Sequence, residues 1–195
     1  MTKRIIIVLA LFLIVVFYIV ITYNNLVKKD EVVKLSWNEM QNNYQRRNDL
    51  IPGLVAVVQG SANFEKQIFE EIATKRAEAA SLLSKQITFS NYSSQEKSQG
   101  ELATTMNRLI ALVEDYPDLK SAKAFTGLQT QLEGTERRIK TARKDFNESV
   151  NSYNQKVRQF PSNIVASLFG FKVINGFKAD IGTDISPVIQ FNQNK

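Results

Sequence analysis

Between residues 125 and 160 the apolar positions recur in alternating steps of three and four. They are Phe125, Leu128, Leu132, Thr135, Ile139, Ala142, Phe146, Ser149 or Val150, Tyr153, Val157 and Phe160. A strand repeats every two residues and cannot make this pattern, whereas a helix of 3.6 residues per turn does. Held for about five heptads, the repeat calls for a helix of roughly 60 Å with one face covered along its whole length. The rest of the chain must therefore supply a second long apolar stripe. Pro161 ends the first one, because its ring cannot continue a helix.

The second stripe is Val33, Trp37, Met40, Tyr44, Arg47, Ile51, Val55 and Val58, with Leu54 beside it. Pro52 interrupts this run and clashes with the carbonyl of Asn48, which leaves a kinked helix or a fresh helix capped by Asp49. The apolar phase persists across the proline, which favours the kink. Two shorter helices are expected: one over 62–84, with Phe64, Ile68, Ile72, Ala79 and Leu83 inward, and one over 100–114, with Leu102, Met106, Leu109 and Val113 inward. Residues 86–100, rich in Ser, Gln, Asn and Lys, read as a loop. The fold class is all-α, an antiparallel four-helix bundle whose long helices cover about 24–59 and 121–160. Short connections make successive helices neighbours, so the long pair forms a stalk and all four helices meet only in its distal half.

Residues 5–21 are an unbroken run of Ile, Val, Leu, Phe, Ala and Tyr. They rise ~25 Å as a helix, and Thr22 and Tyr23 extend it toward the ~30 Å of a bilayer's hydrocarbon. A cleaved signal peptide would be shorter and would carry a small-residue site before Asn24, which is absent, so the run reads as a retained transmembrane anchor through Ile5, Leu9, Leu13, Phe17 and Ile21. Lys3 and Arg4 on one side are nearly balanced by Lys28, Lys29 and Lys34 on the other, and charge leaves the orientation open. The chain thus divides into an anchor (1–23), a helical bundle (24–160), an apolar and basic segment (161–181) and a tail expected to be disordered (182–195).

Catalytic readings are narrowed by what the 195 residues lack. There is no histidine and no cysteine, which removes the commonest general base, metal ligand and thiolate nucleophile. Glu70 with Glu71, and Glu133 with Glu136, are carboxylate pairs, but a di-iron bundle site needs histidines beside them. The eight glycines are isolated, so no phosphate loop forms. The formal charge of +6 is spread among acids on helix faces, and the aromatics follow the buried seams, so no nucleic-acid surface is expected. Neither an enzyme nor a cofactor, metal or small-molecule site is expected.

Several stretches together resemble the LemA family. They are Tyr23-Asn24-Asn25-Leu26-Val27, Arg46-Arg47-Asn48-Asp49-Leu50-Ile51-Pro52-Gly53-Leu54-Val55, Glu114-Asp115-Tyr116-Pro117-Asp118-Leu119-Lys120 and Leu132-Glu133-Gly134-Thr135-Glu136. Ala142-Arg143, Tyr153-Asn154 and Phe160-Pro161-Ser162-Asn163 follow in order. The chain departs from the family's pattern at Gly53 and Arg137, where asparagine is usual, at Phe146 for tyrosine and at Phe64 for histidine. The resemblance implies a membrane-anchored helical bundle without an assigned biochemical activity. Many relatives look like lipoproteins, which implies a plasma-membrane protein with its bulk outside the cytoplasm. The expected role is a non-catalytic interaction or scaffold module of the bacterial envelope, with membrane lipid and unidentified envelope or membrane proteins as partners. The alternative is an adaptor or sensor of an envelope-stress or membrane-protease system.

Two constellations follow. Arg47 stands where the period demands an apolar residue, Glu136 and Arg143 flank the other seam, and all three match the family's motifs. With Asp49 they are expected to form a structural polar network between helices, the alternative being an arginine that snorkels to water. The second is the C-terminal segment, Ile164, Leu168, Phe169, Phe171, Ile174 and Phe177 with Lys172 and Lys178. It either touches the membrane surface, through Phe169, Phe171, Lys172, Phe177 and Lys178, or folds back as a cap on the stalk. Within it, Asn175-Gly176 suits a hairpin turn, and an irregular packed tail fits equally well.

Overall fold

The computed structural model describes residues 2–61, 66–84 and 92–177. Its helices are α1 (Thr2–Ser61), α2 (Lys66–Ser84), α3 (Tyr92–Val113), α4 (Pro117–Ser121), α5 (Lys123–Arg158) and α6 (Ser162–Leu168). Anchor and first bundle helix are one element, since α1 runs unbroken for 60 residues with Pro52 inside it. Its first third stands clear of the rest, with Ile5, Leu9, Leu13, Phe17 and Ile21 all exposed. This is a helix long and apolar enough to cross a membrane.

Beyond that span the apolar stripes close on each other in two clusters. The proximal one joins Leu26, Val33, Trp37, Met40 and Tyr44 of α1 to Ile139, Ala142, Phe146, Val150, Tyr153 and Val157 of α5. The distal one joins Ile51, Leu54 and Val58 of α1 to the inward faces of α2 and α3, to Leu119 of α4 and to Phe125 and Leu132 of α5. Each large side chain so buried contributes about 1.5–3 kcal/mol. The proximal cluster is chiefly α1 and α5, with Val165 and Ala166 of α6, and the distal one draws on α1 to α5.

Two local expectations are corrected. Residues 86–100 are not a loop from Tyr92 onward, because α3 begins there and not near Gly100, where its apolar residues announce it. In this first part of α3, Gln95, Ser98 and Gln99 are buried in place of apolar groups, and the glutamines find hydrogen bonds on other helices. At the far end of α5 the period breaks: the helix stops at Arg158, and Phe160 turns outward to 75% exposure. Of the two readings of Asn175-Gly176 the irregular one holds, since residues 171–177 run without regular structure back along α5. Phe64, Lys178 and the tail over 182–195 lie outside the described residues.

That return is held by two asparagines. Asn154 donates to the carbonyl of Ile174 at 2.7 Å and accepts from its N–H at 2.9 Å. Asn147 does the same for Phe177, at 3.1 and 2.7 Å. Seven helical residues rise ~10.5 Å and three extended residues span ~10 Å, so each side-chain amide meets a backbone amide as a neighbouring strand would. A Cβ on Gly176 would lie 2.7 Å from the Asn147 Oδ1, so a larger residue there would displace the Asn147 side chain from its bonds to Phe177.

Candidate functional site

Where the two clusters meet, the seam turns polar. Arg47 is 3% exposed, and its Nη1 donates to Glu136 Oε1 on α5 at 2.8 Å. Its Nη2 donates to the carbonyl of Gln99 on α3 at 3.0 Å and to the side-chain oxygen of the same residue. One residue on, α2 joins the layer. Pro52 has no N–H to give the carbonyl of Asn48, and the Arg76 Nε donates to that carbonyl instead, at 3.0 Å. Arg47, Asn48 and Pro52 therefore tie α1 to α5, α3 and α2 at one level.

A second rank lies on the proximal side. Gln41 and Gln95 exchange amide hydrogen bonds at 2.9 and 2.5 Å. Arg143 pairs with Glu96 and lies over the Phe177 ring, 4.8 Å from its centroid. Tyr44 sits between the ranks, and burial pushes its phenol upward against the opposing pull of Arg143 and Arg47. The Asn48 side chain, Ser98 Oγ, Gln99 Nε2 and Arg47 Nε are buried with no hydrogen-bond partner among the described residues. A layer that leaves such groups unpaired adds little stability and acts mainly on alignment.

Of the four residues named from the sequence, Arg47 and Glu136 come together, while Arg143 binds Glu96 in the adjoining rank. Asp49 does not join; it is exposed and accepts a hydrogen bond from Gln45 at 2.8 Å. Gln99, Gln95, Gln41, Glu96 and Arg76 also belong to the layer and were not expected from the sequence. A signal existed for α3, since Gln95, Gln99, Leu102, Met106, Leu109 and Val113 continue one pattern of fours and threes. Counting glutamine as polar hid it.

The chemistry open to these groups is narrow. No cluster of metal-ligating side chains occurs among the described residues. The carboxylate pairs are engaged elsewhere: Glu70 with Lys66, Glu71 with Arg108, Glu133 with Gln129 and Glu136 with Arg47. An open groove of about 450 Å³ between α1 and α5 is lined by Glu39, Asn43, Arg137, Arg138, Thr141 and Asp145, and it holds no nucleophile paired to a base.

The C-terminal residues separate into two groups. Phe177, one of those expected to touch membrane, is buried at 9% exposure and stacks on Trp37 with centroids 6.3 Å apart. Phe146 and Tyr92 enclose it further, at 5.4 and 4.8 Å, and the Tyr92 hydroxyl donates to the Gly176 carbonyl at 2.5 Å. That ring is unavailable to lipid. Phe169 and Phe171 instead meet the Tyr23 ring at the end of the apolar span, at 4.9 and 5.7 Å. Phe169 and Lys172 remain exposed.

Fold and site together define a helical-bundle protein whose first helix extends into a segment long and apolar enough to cross a membrane, with a buried polar layer between its helices. The chain belongs to the LemA family, whose model matches residues 36–191. It is similar to the magnetosome proteins MamQ 1 and MamQ 2 of Paramagnetospirillum magneticum and to the magnetosome protein MamQ of Magnetospirillum gryphiswaldense. Each is 27% identical over 186 residues, covering 86% of this chain and 68% of the relative.

Proposed function

We propose that this protein is a single-pass, non-catalytic scaffold that holds a helical bundle at a fixed attitude to a membrane for protein partners to bind. The observation that carries the reading is the continuity of α1, whose exposed apolar third passes without a break into the stripe on which the bundle is built. Support also comes from the polar groups, which are spent on bonds between helices rather than gathered in a cleft. The relatives' names point to a cell structure and not to a reaction. The bundle lies outside the cytoplasm in this reading, on the strength of the family's lipoprotein-like members.

Two measurements test it. Alkaline carbonate should leave the full chain in the membrane pellet and release a form lacking residues 2–23. Photoreactive groups at the exposed Arg137, Lys140 and Lys144 of α5 should give discrete protein adducts in living cells. Turnover of ester, phosphoester or peptide substrates by the purified chain, lost when Glu136 or Arg47 is replaced, would overturn the non-catalytic reading.

A further inference from the structure

A short helix on a protein surface normally turns its polar face outward. α6 departs from this: beside the polar Asn163 and Ser167 its outer face also carries large apolar side chains. Ser162, Val165 and Ala166 are buried against the bundle, while Ile164 and Leu168, one turn apart, are 61% and 70% exposed. Phe160 before the helix and Phe169 after it enlarge the same apolar surface. The Ser162 hydroxyl bonds to the carbonyls of Lys156 and Gln159 at 2.7 Å, which fixes the turn that presents this face. A contiguous apolar surface of this kind marks an interaction site.

Its height identifies what it meets. α6 lies against α1, with Phe169 and Phe171 on the ring of Tyr23. Ile19 packs on the cluster that contains Val165 and Ala166. Thr22, at the end of the apolar run, is covered to 2% exposure. α6 is therefore level with the point at which α1 leaves the hydrocarbon, since residues 3–21 rise ~28 Å against a core of ~30 Å. Lys28, Lys156, Arg158 and Lys172 fringe that level, and the nearby acids Asp30 and Glu31 are both bound by Lys34.

We infer that α6 and its flanking turns are a second membrane contact, an interfacial shoulder that sets Phe160, Ile164 and Leu168 into the leaflet through which α1 emerges. The inference rests on the reading of residues 5–21 as a membrane span. Lipid is the occupant because the shoulder's apolar surface continues, through Tyr23 and Phe169, into the exposed surface of the span itself. The cationic fringe suits anionic headgroups, and apolar rings with ammonium groups are the composition the interface selects. One helix in a bilayer is free to tilt and spin; a second contact beside it removes that freedom.

The chain has no cysteine, so single labels can be placed without background. The full chain is reconstituted in vesicles of phosphatidylcholine and phosphatidylglycerol, with a fluorophore on I164C, L168C, F12C or L35C and brominated lipids as quenchers. Labels at 164 and 168 should report depths of about 5–10 Å below the phosphates, the label at 12 should lie deeper, and the label at 35 should not be quenched. If 12 is quenched while 164 and 168 remain open to aqueous iodide, the span stands and the shoulder is overturned. If 164 and 168 are shielded from iodide but untouched by brominated lipid, a protein surface covers them, which also overturns the shoulder. An unquenched label at 12 would remove the span and the shoulder together.

Discussion

Arg47 is a cation placed where the period asks for an apolar side chain, and the two ends of its ion pair are unequal. Arg47 is enclosed, whereas the Glu136 side chain is 41% exposed. Glu136→Ala leaves a buried guanidinium without its carboxylate partner, one of its three hydrogen bonds, and should cost about 1.5–3 kcal/mol, toward the lower end because water reaches the gap. Arg47→Met removes the buried charge and frees Glu136 to solvent, so it should change stability by less than about 1 kcal/mol. Thermal unfolding in detergent reads both, and equal losses would contradict the asymmetry. The tyrosines give a pH signature. Burial raises the phenols of Tyr44, Tyr92 and Tyr153, with Glu96 adding to the effect at Tyr92 and Asp30 at Tyr153. A phenol raised in the folded state stabilises fully below its unfolded pKa of about 10, and that contribution is lost as pH rises through the folded value. The melting temperature should therefore fall above about pH 10, and Tyr44→Phe should flatten the fall in a titration of melting temperature against pH. What was legible in the sequence at this scale was the misfit. Arg47 and Glu136 stand out against an apolar pattern and Gln99 continues the stripe of α3, but Glu96 and Arg76 stand on helix faces where polar residues are expected, so the sequence gives no sign of them.

The elements carry two devices that local sequence conceals in different degrees. Pro52 announces a carbonyl without a donor, and nothing near it in sequence says that Arg76, far along in α2, supplies the bond. Arg76→Met should destabilise the protein by about 1–2 kcal/mol in the natural background. In Pro52→Ala the helix can bond to Asn48 itself, and the same replacement should cost about 1 kcal/mol less, a coupling measurable by a double-mutant cycle. Additive effects would mean that the proline and the arginine act separately. The asparagine strap is the second device. Asn147 and Asn154 are one heptad apart on the flank of α5, a spacing visible in the sequence but unremarkable for a solvated helix face. Asn147→Ala with Asn154→Ala should release residues 171–177 and expose the Trp37 ring, read as a red shift of the fluorescence of the one tryptophan and faster proteolysis near Lys172. Long apolar stripes were legible because burial repeats; α3 before Gly100 was not, since glutamines there take the places of leucines.

For the whole molecule, the continuous α1 and its pairing with α5 give a stalk of two long helices with a defined direction. The strap and the aromatic group of Trp37, Tyr92, Phe146 and Phe177 close the stalk at its proximal end, and the polar layer aligns it farther up. An unbroken α1 also makes the protein a lever. About 40 Å of helix separates Tyr23 from Pro52. A helix alone in a bilayer commonly leans by about 20°, which would sweep the far end sideways by ~15 Å. The shoulder inferred at α6 would hold that lean fixed, so its loss would release travel of this size at the distal surface.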